Sequence, residues 1–390
     1  MGKKLHASAQ RPRRSGGILS LTWPIFIELL RQMLVGNADQ IMGGWYDPNG
    51  VGAIGNANQI TNLLLLVFSV ICTASMILIA QYIGAEDTKR VNETYTVSLV
   101  VNGIFGLAIG GLLMALCGPI FHLMKVPEEI FADTCLYIRI IGGGMVFQSI
   151  YLTFTAFFRS SQMMKETMLI SVLMNLMNIG GNALLINGAF GLPALGVAGA
   201  AVSSDVSRIF GVVVIAILFR RRFGPVIRLS HLRPFPVDQL RRLLRIGLPT
   251  GGESISYNLS QICIQSICNN FALFVINTRV YANMFAMLTY MFASAVSQAT
   301  QVVVARLMGA EQIEEVDRRV KRTLLVSLVI STLVSVVLYL FSTPLLRLFT
   351  SDQAVLELFH TIMLIEIPLE IGRAVNIVMC RSLQALSLIH

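Results

Sequence analysis

The chain has 390 residues, 55% of them hydrophobic and 13% charged, with a mean hydropathy of +0.70. Soluble globular chains carry about 25% charged residues, so these values exclude an ordinary water-soluble domain and point to a membrane protein. The net charge of +9 would suggest nucleic acid in a soluble chain. Here the basic residues sit at the ends of apolar runs, as in membrane proteins, and no nucleic-acid partner is expected.

Residues 1–17 form a basic tail (Lys3, Lys4, Arg11, Arg13, Arg14). The apolar run that follows contains Glu28 and Arg31 and lacks a small-residue cleavage site, so the expectation is a cytoplasmic tail and a retained first helix. Ten segments are long and apolar enough to cross a bilayer as helices. They lie near 18–45, 51–83, 93–117, 131–158, 166–187, 194–219, 240–271, 276–308, 320–342 and 354–380. Lys and Arg fix their orientation. The tail, the loops after segments 2, 4, 6 and 8, and Arg381 carry 23 of them, against three (Lys125, Arg279, Arg347) on the other side. The loop after segment 6 is the richest, with Arg220, Arg221, Arg222, Arg228, Arg233, Arg241, Arg242 and Arg245. This asymmetry predicts a multi-pass protein of the inner or plasma membrane with a cytoplasmic N-terminus.

The chain also repeats itself. A shift of 225 residues places Pro24 on Pro249, Glu28 on Glu253, Asn58 on Asn283, Pro119 on Pro344, and Gly84-Ala85-Glu86 on Gly309-Ala310-Glu311. Residues 18–124 align without a gap at 20 identities in 107 positions, and Arg159-Ser160 meets Arg381-Ser382 after a shift of three. The expected fold is an all-α polytopic bundle of two parallel six-helix repeats, about ten helices being present in this chain. The expected domains are an N-lobe at 18–222, a cytoplasmic linker at 223–239 and a C-lobe at 240–390. On this register a complete second half runs to about residue 440–450, so helices 11 and 12 are expected to be missing by C-terminal truncation. A natural ten-helix form is the alternative. In parallel-repeat folds the substrate site lies between halves that rock to alternate access, so a transporter is favoured over a channel or an enzyme.

Several motifs together resemble the MATE (multidrug and toxic compound extrusion) family, within the MOP flippase superfamily. They are Trp23-Pro24 with Asn37-Ala38-Asp39, the run Ile79-Ala80-Gln81-Tyr82-Ile83-Gly84-Ala85, and Phe158-Arg159-Ser160. Further on come Asn175, Asn178 and Asn182, then Gly191-Leu192-Pro193 with Gly196-Val197-Ala198-Gly199-Ala200-Ala201, and Arg245-Ile246-Gly247-Leu248-Pro249. The resemblance covers nearly the whole chain. It implies two six-helix bundles and export of cationic or amphipathic small molecules in exchange for H+ or Na+. No other cofactor is implied, and a monomer in the lipid bilayer is expected.

An ionisable residue at mid-bilayer costs about 2.5–3.5 kcal/mol on insertion scales, so each needs a reason. Asp39 lies eleven residues after Glu28, just over three turns on, so both acids fall on nearly the same face. Its repeat mate is Ile264, an asymmetry that suggests a task rather than a fold requirement. In the DinF-like branch of the family an aspartate at this place serves the cation site with polar groups of segment 5. Asn178 matches one of those, and Asn182 stands where that branch often has a second aspartate. The coupling ion is therefore left open between a proton and a sodium ion near Asp39.

In segment 10, Glu366, Glu370 and Arg373 fall on one helical stripe. Glu370 is close to the place of an acid in the NorM-like branch, whereas Glu253 lies short of that branch's segment 7 acid, which falls near Tyr257. Asn56, Gln59 and Asn62 recur every three residues and are candidates for lining a cavity, with interhelical hydrogen bonding as the plainer role. Pro24 and Pro249 are candidate hinges, since each removes a helix hydrogen bond. One charge crossing about 150 mV gains roughly 3.5 kcal/mol, so a single working carboxylate suffices for coupling.

Rival readings are weaker. Gly50-Val51-Gly52-Ala53-Ile54-Gly55 matches a dinucleotide fingerprint but follows no strand, and no P-loop or catalytic motif is present. No metal cluster is expected from the five histidines, nor a disulfide framework from the six cysteines. An enzyme is therefore not expected. A lipid-linked precursor or polysaccharide flippase of the same superfamily is the alternative, with Arg31, Arg139, Arg208 and Arg373 as phosphate-binding cations. A non-transporting membrane sensor is the third reading.

Overall fold

The computed structural model describes residues 18–35, 42, 48–186, 188, 193–233, 235–268, 270–347, 349–350 and 352–386. All regular structure among them is helical. Ten long helices appear where ten segments were expected: α1 (Ile18–Val35), α2 (Pro48–Gly84), α3 (Thr88–Leu123), α4 (Glu128–Ser160), α5 (Met164–Leu185), α6 (Gly196–Phe223), α7 (Val237–Cys268), α8 (Leu273–Gly309), α9 (Ile313–Leu340) and α10 (Gln353–Leu386). A 3-10 turn (Leu229–Leu232) precedes α7 and a short helix (Ser342–Leu346) follows α9. Seven of the ten, α2 to α6, α8 and α9, are long and apolar enough to span a membrane on composition alone. The other three, α1, α7 and α10, hold Pro24, Pro249 and Pro368 and the acids Glu28, Glu253, Glu366 and Glu370. α1 falls short on length, its apolar part being Leu19–Leu30, whereas α7 and α10 are long helices that carry acids singled out above.

Among the described residues the chain divides into two compact units, one within 31–248 and one of 18–30 with 249–386. The linker expected at 223–239 packs with the first unit, because Tyr82 Oη of α2 donates to Gln239 Oε1 (3.0 Å) and Arg242 Nη1 donates to Tyr82 Oη (3.3 Å). The first part of α1 packs with the second unit, where Phe26 meets Phe292 edge-on at 6.0 Å.

Within the first unit α2, α3 and α4 pack on one another, α6 lies on α4, and α5 on α6. The second unit repeats the first of these arrangements with α8, α9 and α10. The register of 225 holds at atomic detail. After α2 the Ala85 N–H donates to Gln81 O (2.9 Å) and the Asp87 N–H to Tyr82 O (3.0 Å). After α8 the Ala310 N–H donates to Arg306 O (3.1 Å) and the Gln312 N–H to Leu307 O (3.0 Å). Both turns put a glutamate in the left-handed region, Glu86 at φ 57 and Glu311 at φ 59, as a left-handed helix cap requires. Buried hydroxyls pair in the same register: Ser75 Oγ donates to Ser98 Oγ (2.7 Å), and Thr300 Oγ1 meets Thr323 Oγ1 (2.9 Å).

Small residues set the approach of the third helix to the fourth. A Cβ on Gly106 would come within 2.9 Å of the Val146 backbone, and one on Gly110 would strike the Gly142 carbonyl. Their register mates in α9, Ser331 and Ser335, are buried as well. Membrane helices pack through such small faces, because apolar burial does not drive association in lipid. Asn102 ties three helices of the first unit together, its amide donating to Thr153 Oγ1 (2.7 Å) and Cys72 Sγ (3.2 Å). All six cysteines are free.

Candidate functional site

Polar side chains inside the helices gather in a few places, and the stripe on α10 holds the most charge. Glu366, Glu370 and Arg373 follow the helical period, so they project from one face. The Arg373 guanidinium donates to Glu370 Oε1, and its Nη2 lies 3.9 Å from Glu366 Oε2. Glu370 is 1% exposed. Glu366 Oε2 and Glu370 Oε2 are both buried without a hydrogen-bond partner among the described residues. Two carboxylates thus share one cation, with acceptor atoms to spare. Such an arrangement can take up a proton or small cation without unpairing the arginine.

A second group links α7, α8 and α10. Gln384 Nε2 donates to Glu253 Oε2 (2.6 Å), and Gln301 Nε2 donates to Gln384 Oε1 (3.0 Å). Gln301 is 1% exposed and its Oε1 has no partner among the described residues. Gln301 and Gln384 were not singled out from the sequence. The partners are far apart along the chain, and no local spacing announces them. Glu28, the register mate of Glu253, is half-buried in the same unit.

In the first unit α5 and α6 share a polar seam. Asn178 Nδ2 donates to Ser204 Oγ (3.0 Å), and Ser203 Oγ donates to Asn178 O (2.8 Å). Asn182, one turn on, is fully buried. Asn178 thus lies at the seam and Asn182 is buried one turn further along α5, while Asp39 lies outside the described residues. Asn56 donates its amide to Gly52 O in its own helix (2.9 Å), and Gln59 and Asn62 are exposed. Of the hinge candidates, Pro24 is buried and Pro249 exposed.

Sequence reasoning also missed Asp205. Arg208 Nη1 donates to its Oδ1 at 2.9 Å, and both side chains are 15% exposed. The pair sits on α6 against Gly144 of α4, where an added Cβ would overlap the Asp205 carboxylate. The signal was available: an acid and a base three residues apart inside an apolar run, where each must neutralise the other.

The MatE family model matches residues 24–184 and 249–389. An "Uncharacterized transporter YisQ" of Bacillus subtilis is 34% identical over 368 residues, covering 94% of this chain and 81% of that protein. A "Probable multidrug resistance protein NorM" of Thermotoga maritima is 27% identical over 351 residues, covering 87% of this chain and 73% of the other. The fold is like that of the MATE transporter VcmN of Vibrio cholerae in its bent form, with a TM-score of 0.87 at 18% identity over 98% of this chain and 85% of that one. It is also like a MOP superfamily transporter from Pyrococcus furiosus, at a TM-score of 0.80 and 19% identity over 98% and 87% of the two chains.

Proposed function

The chain belongs to the MatE family, and we propose from there that it is a secondary active exporter of cationic or amphipathic small molecules, driven by H+ or Na+ through alternating access. The observation that carries the proposal is the α10 stripe: a buried and a half-buried carboxylate served by one arginine within a long helix. Unpaired acid within a bilayer is costly, and cation binding is the use that repays it. In this reading Glu370, with Glu366 and Arg373, loads and releases the coupling ion. Asp39 with Asn178 and Asn182 forms a second coupling locus, the place for Na+ if sodium is used. Glu28, Glu253, Asn56, Gln59 and Asn62 line the substrate path, and Pro24 and Pro249 act as hinges. The protein works as a monomer in the inner or plasma membrane, N-terminus in the cytoplasm, with a small-molecule substrate as its partner.

The relative named as a multidrug resistance protein supports the substrate class. The test is flux of a fluorescent lipophilic cation in vesicles holding the full chain, under an imposed pH or sodium gradient. Wild type is compared with Asp39→Asn. Gradient-driven flux that falls at least about ten-fold in the variant, about 1.4 kcal/mol of lost driving interaction, fits the reading. Unchanged flux removes Asp39 from the mechanism. Gradient-independent movement of a lipid-linked phosphate precursor would favour a flippase instead.

A further inference from the structure

We propose that residues 220–245 form a docking site for anionic phospholipid headgroups. This stretch holds eight arginines, no lysine and one acid, Asp238. All eight arginines are exposed. Four basic residues at other helix ends have acids beside them: Arg90 lies 3.4 Å from Asp87, Lys89 4.0 Å from Glu93, Arg318 2.5 Å from Glu315 and Lys321 2.6 Å from Asp317. In the 220–245 stretch, Arg228 donates to the Pro225 carbonyl (3.4 Å) and Arg242 to Tyr82 Oη (3.3 Å), and no ion pair forms among the described residues. Seven net positive charges are therefore left for an external partner.

The stretch is fixed to the first unit rather than trailing from it. Phe219 and Phe223, which flank the arginine triplet at the end of α6, stack at 4.8 Å and pack against Tyr95 at 5.2 and 6.1 Å. The 3-10 turn is held to α3 by a hydrogen bond between Thr96 Oγ1 and His231 Nδ1 (3.3 Å). Gln239 is held to α2 by Tyr82. Arginine alone, with its planar fork, is the side chain that matches phosphate oxygens two at a time. A solvated loop has no need of that choice.

The phosphate source follows from what lies between the arginines. Phe235 is 42% exposed, Val237 63% and Leu244 42%, and Leu248, just past Arg245, is 67% exposed. Apolar side chains interleaved with basic ones suit the boundary between headgroups and acyl chains, and α6, one of the seven apolar spans, holds one end of the stretch at the membrane. Basic clusters next to membrane helices bind anionic lipid electrostatically. The inference rests on α6 and α7 spanning the membrane. It needs neither the coupling ion nor the orientation assigned above.

The test uses the full chain in an uncharged detergent, titrated with phosphatidylglycerol or phosphatidylcholine in mixed micelles. Lipid then reaches every face, so orientation does not enter. Thermal unfolding and native mass spectrometry read the binding. Phosphatidylglycerol should raise the unfolding midpoint and remain bound, phosphatidylcholine should do neither, and about 0.5 M salt should remove the difference. Replacing Arg221, Arg222, Arg228 and Arg233 by Gln should weaken the response about ten-fold or more, whereas Arg318→Gln with Lys321→Gln should leave it in place. If the Gln variant fails to fold, the Arg→Lys version decides: it should bind with reduced affinity. Four results would overturn the proposal: equal responses to the two lipids, a response untouched by the substitutions, inorganic phosphate reproducing the effect, or an RNA oligonucleotide displacing the lipid.

Discussion

The two units treat the same place in their fourth helix in opposite ways. A shift of 222 residues sets Glu366, Glu370 and Arg373 of α10 on Gly144, Gln148 and Tyr151 of α4. In the second unit the charges grow from the fourth helix itself, two acids to one base. In the first unit that helix offers a glycine, and α6 brings an acid and a base into the gap, Asp205 with Arg208. One arrangement is electrically closed. The other keeps a carboxylate in reserve. The comparison teaches that burial of charge alone does not mark a working group; the count of partners does. A balanced pair holds helices in place, and an unbalanced one has chemistry left to perform.

Removing one acid from each unit should sharpen that contrast. Asp205→Asn leaves Arg208 charged and unpaired inside the first unit, a loss of about 3 kcal/mol, seen as a lower unfolding midpoint in detergent. Adding Arg208→Gln should recover most of it. Glu370→Gln should cost far less, because Glu366 still faces Arg373 and the remaining pair is balanced. Equal losses in the two units would break the comparison. Next in size is Gly144→Ala, which drives a Cβ into the Asp205 carboxylate and should cost about 1–3 kcal/mol. Gly143→Ala, with nothing within 4 Å of its added Cβ, should be neutral or slightly stabilising in the same assay. The smallest effect tests where the units agree. Ser75→Ala and Thr300→Val remove hydroxyl pairs in register and should each cost about 0.6 kcal/mol. A large effect in one unit alone would show that the repeat is not mechanically equivalent there.

The sequence made the repeat legible because prolines, acids and turn glycines are position-specific in a way that apolar filler is not. Ten segments became ten helices since length and hydropathy are set by the bilayer. The α10 stripe was legible from helical spacing alone. Asp205 was passed over although its spacing to Arg208 was visible; what it packs on, Gly144, lies sixty-one residues away and is silent in the pattern. The Gln301–Gln384–Glu253 relay is a tertiary fact for the same reason. Unit membership also differed from the lobe boundaries: residues 18–30 pack with the second unit and 237–248 with the first. Such exchanges depend on side-chain contacts such as Tyr82 with Gln239, which no composition shift announces.

The account turns on the spare carboxylate of α10. Its most direct test is flux in vesicles under an imposed proton or sodium gradient, wild type against Glu370→Gln, with folding checked by the unfolding midpoint. The prediction is a folded variant whose flux no longer follows the gradient. A folded variant that keeps the full gradient dependence of wild type would contradict it.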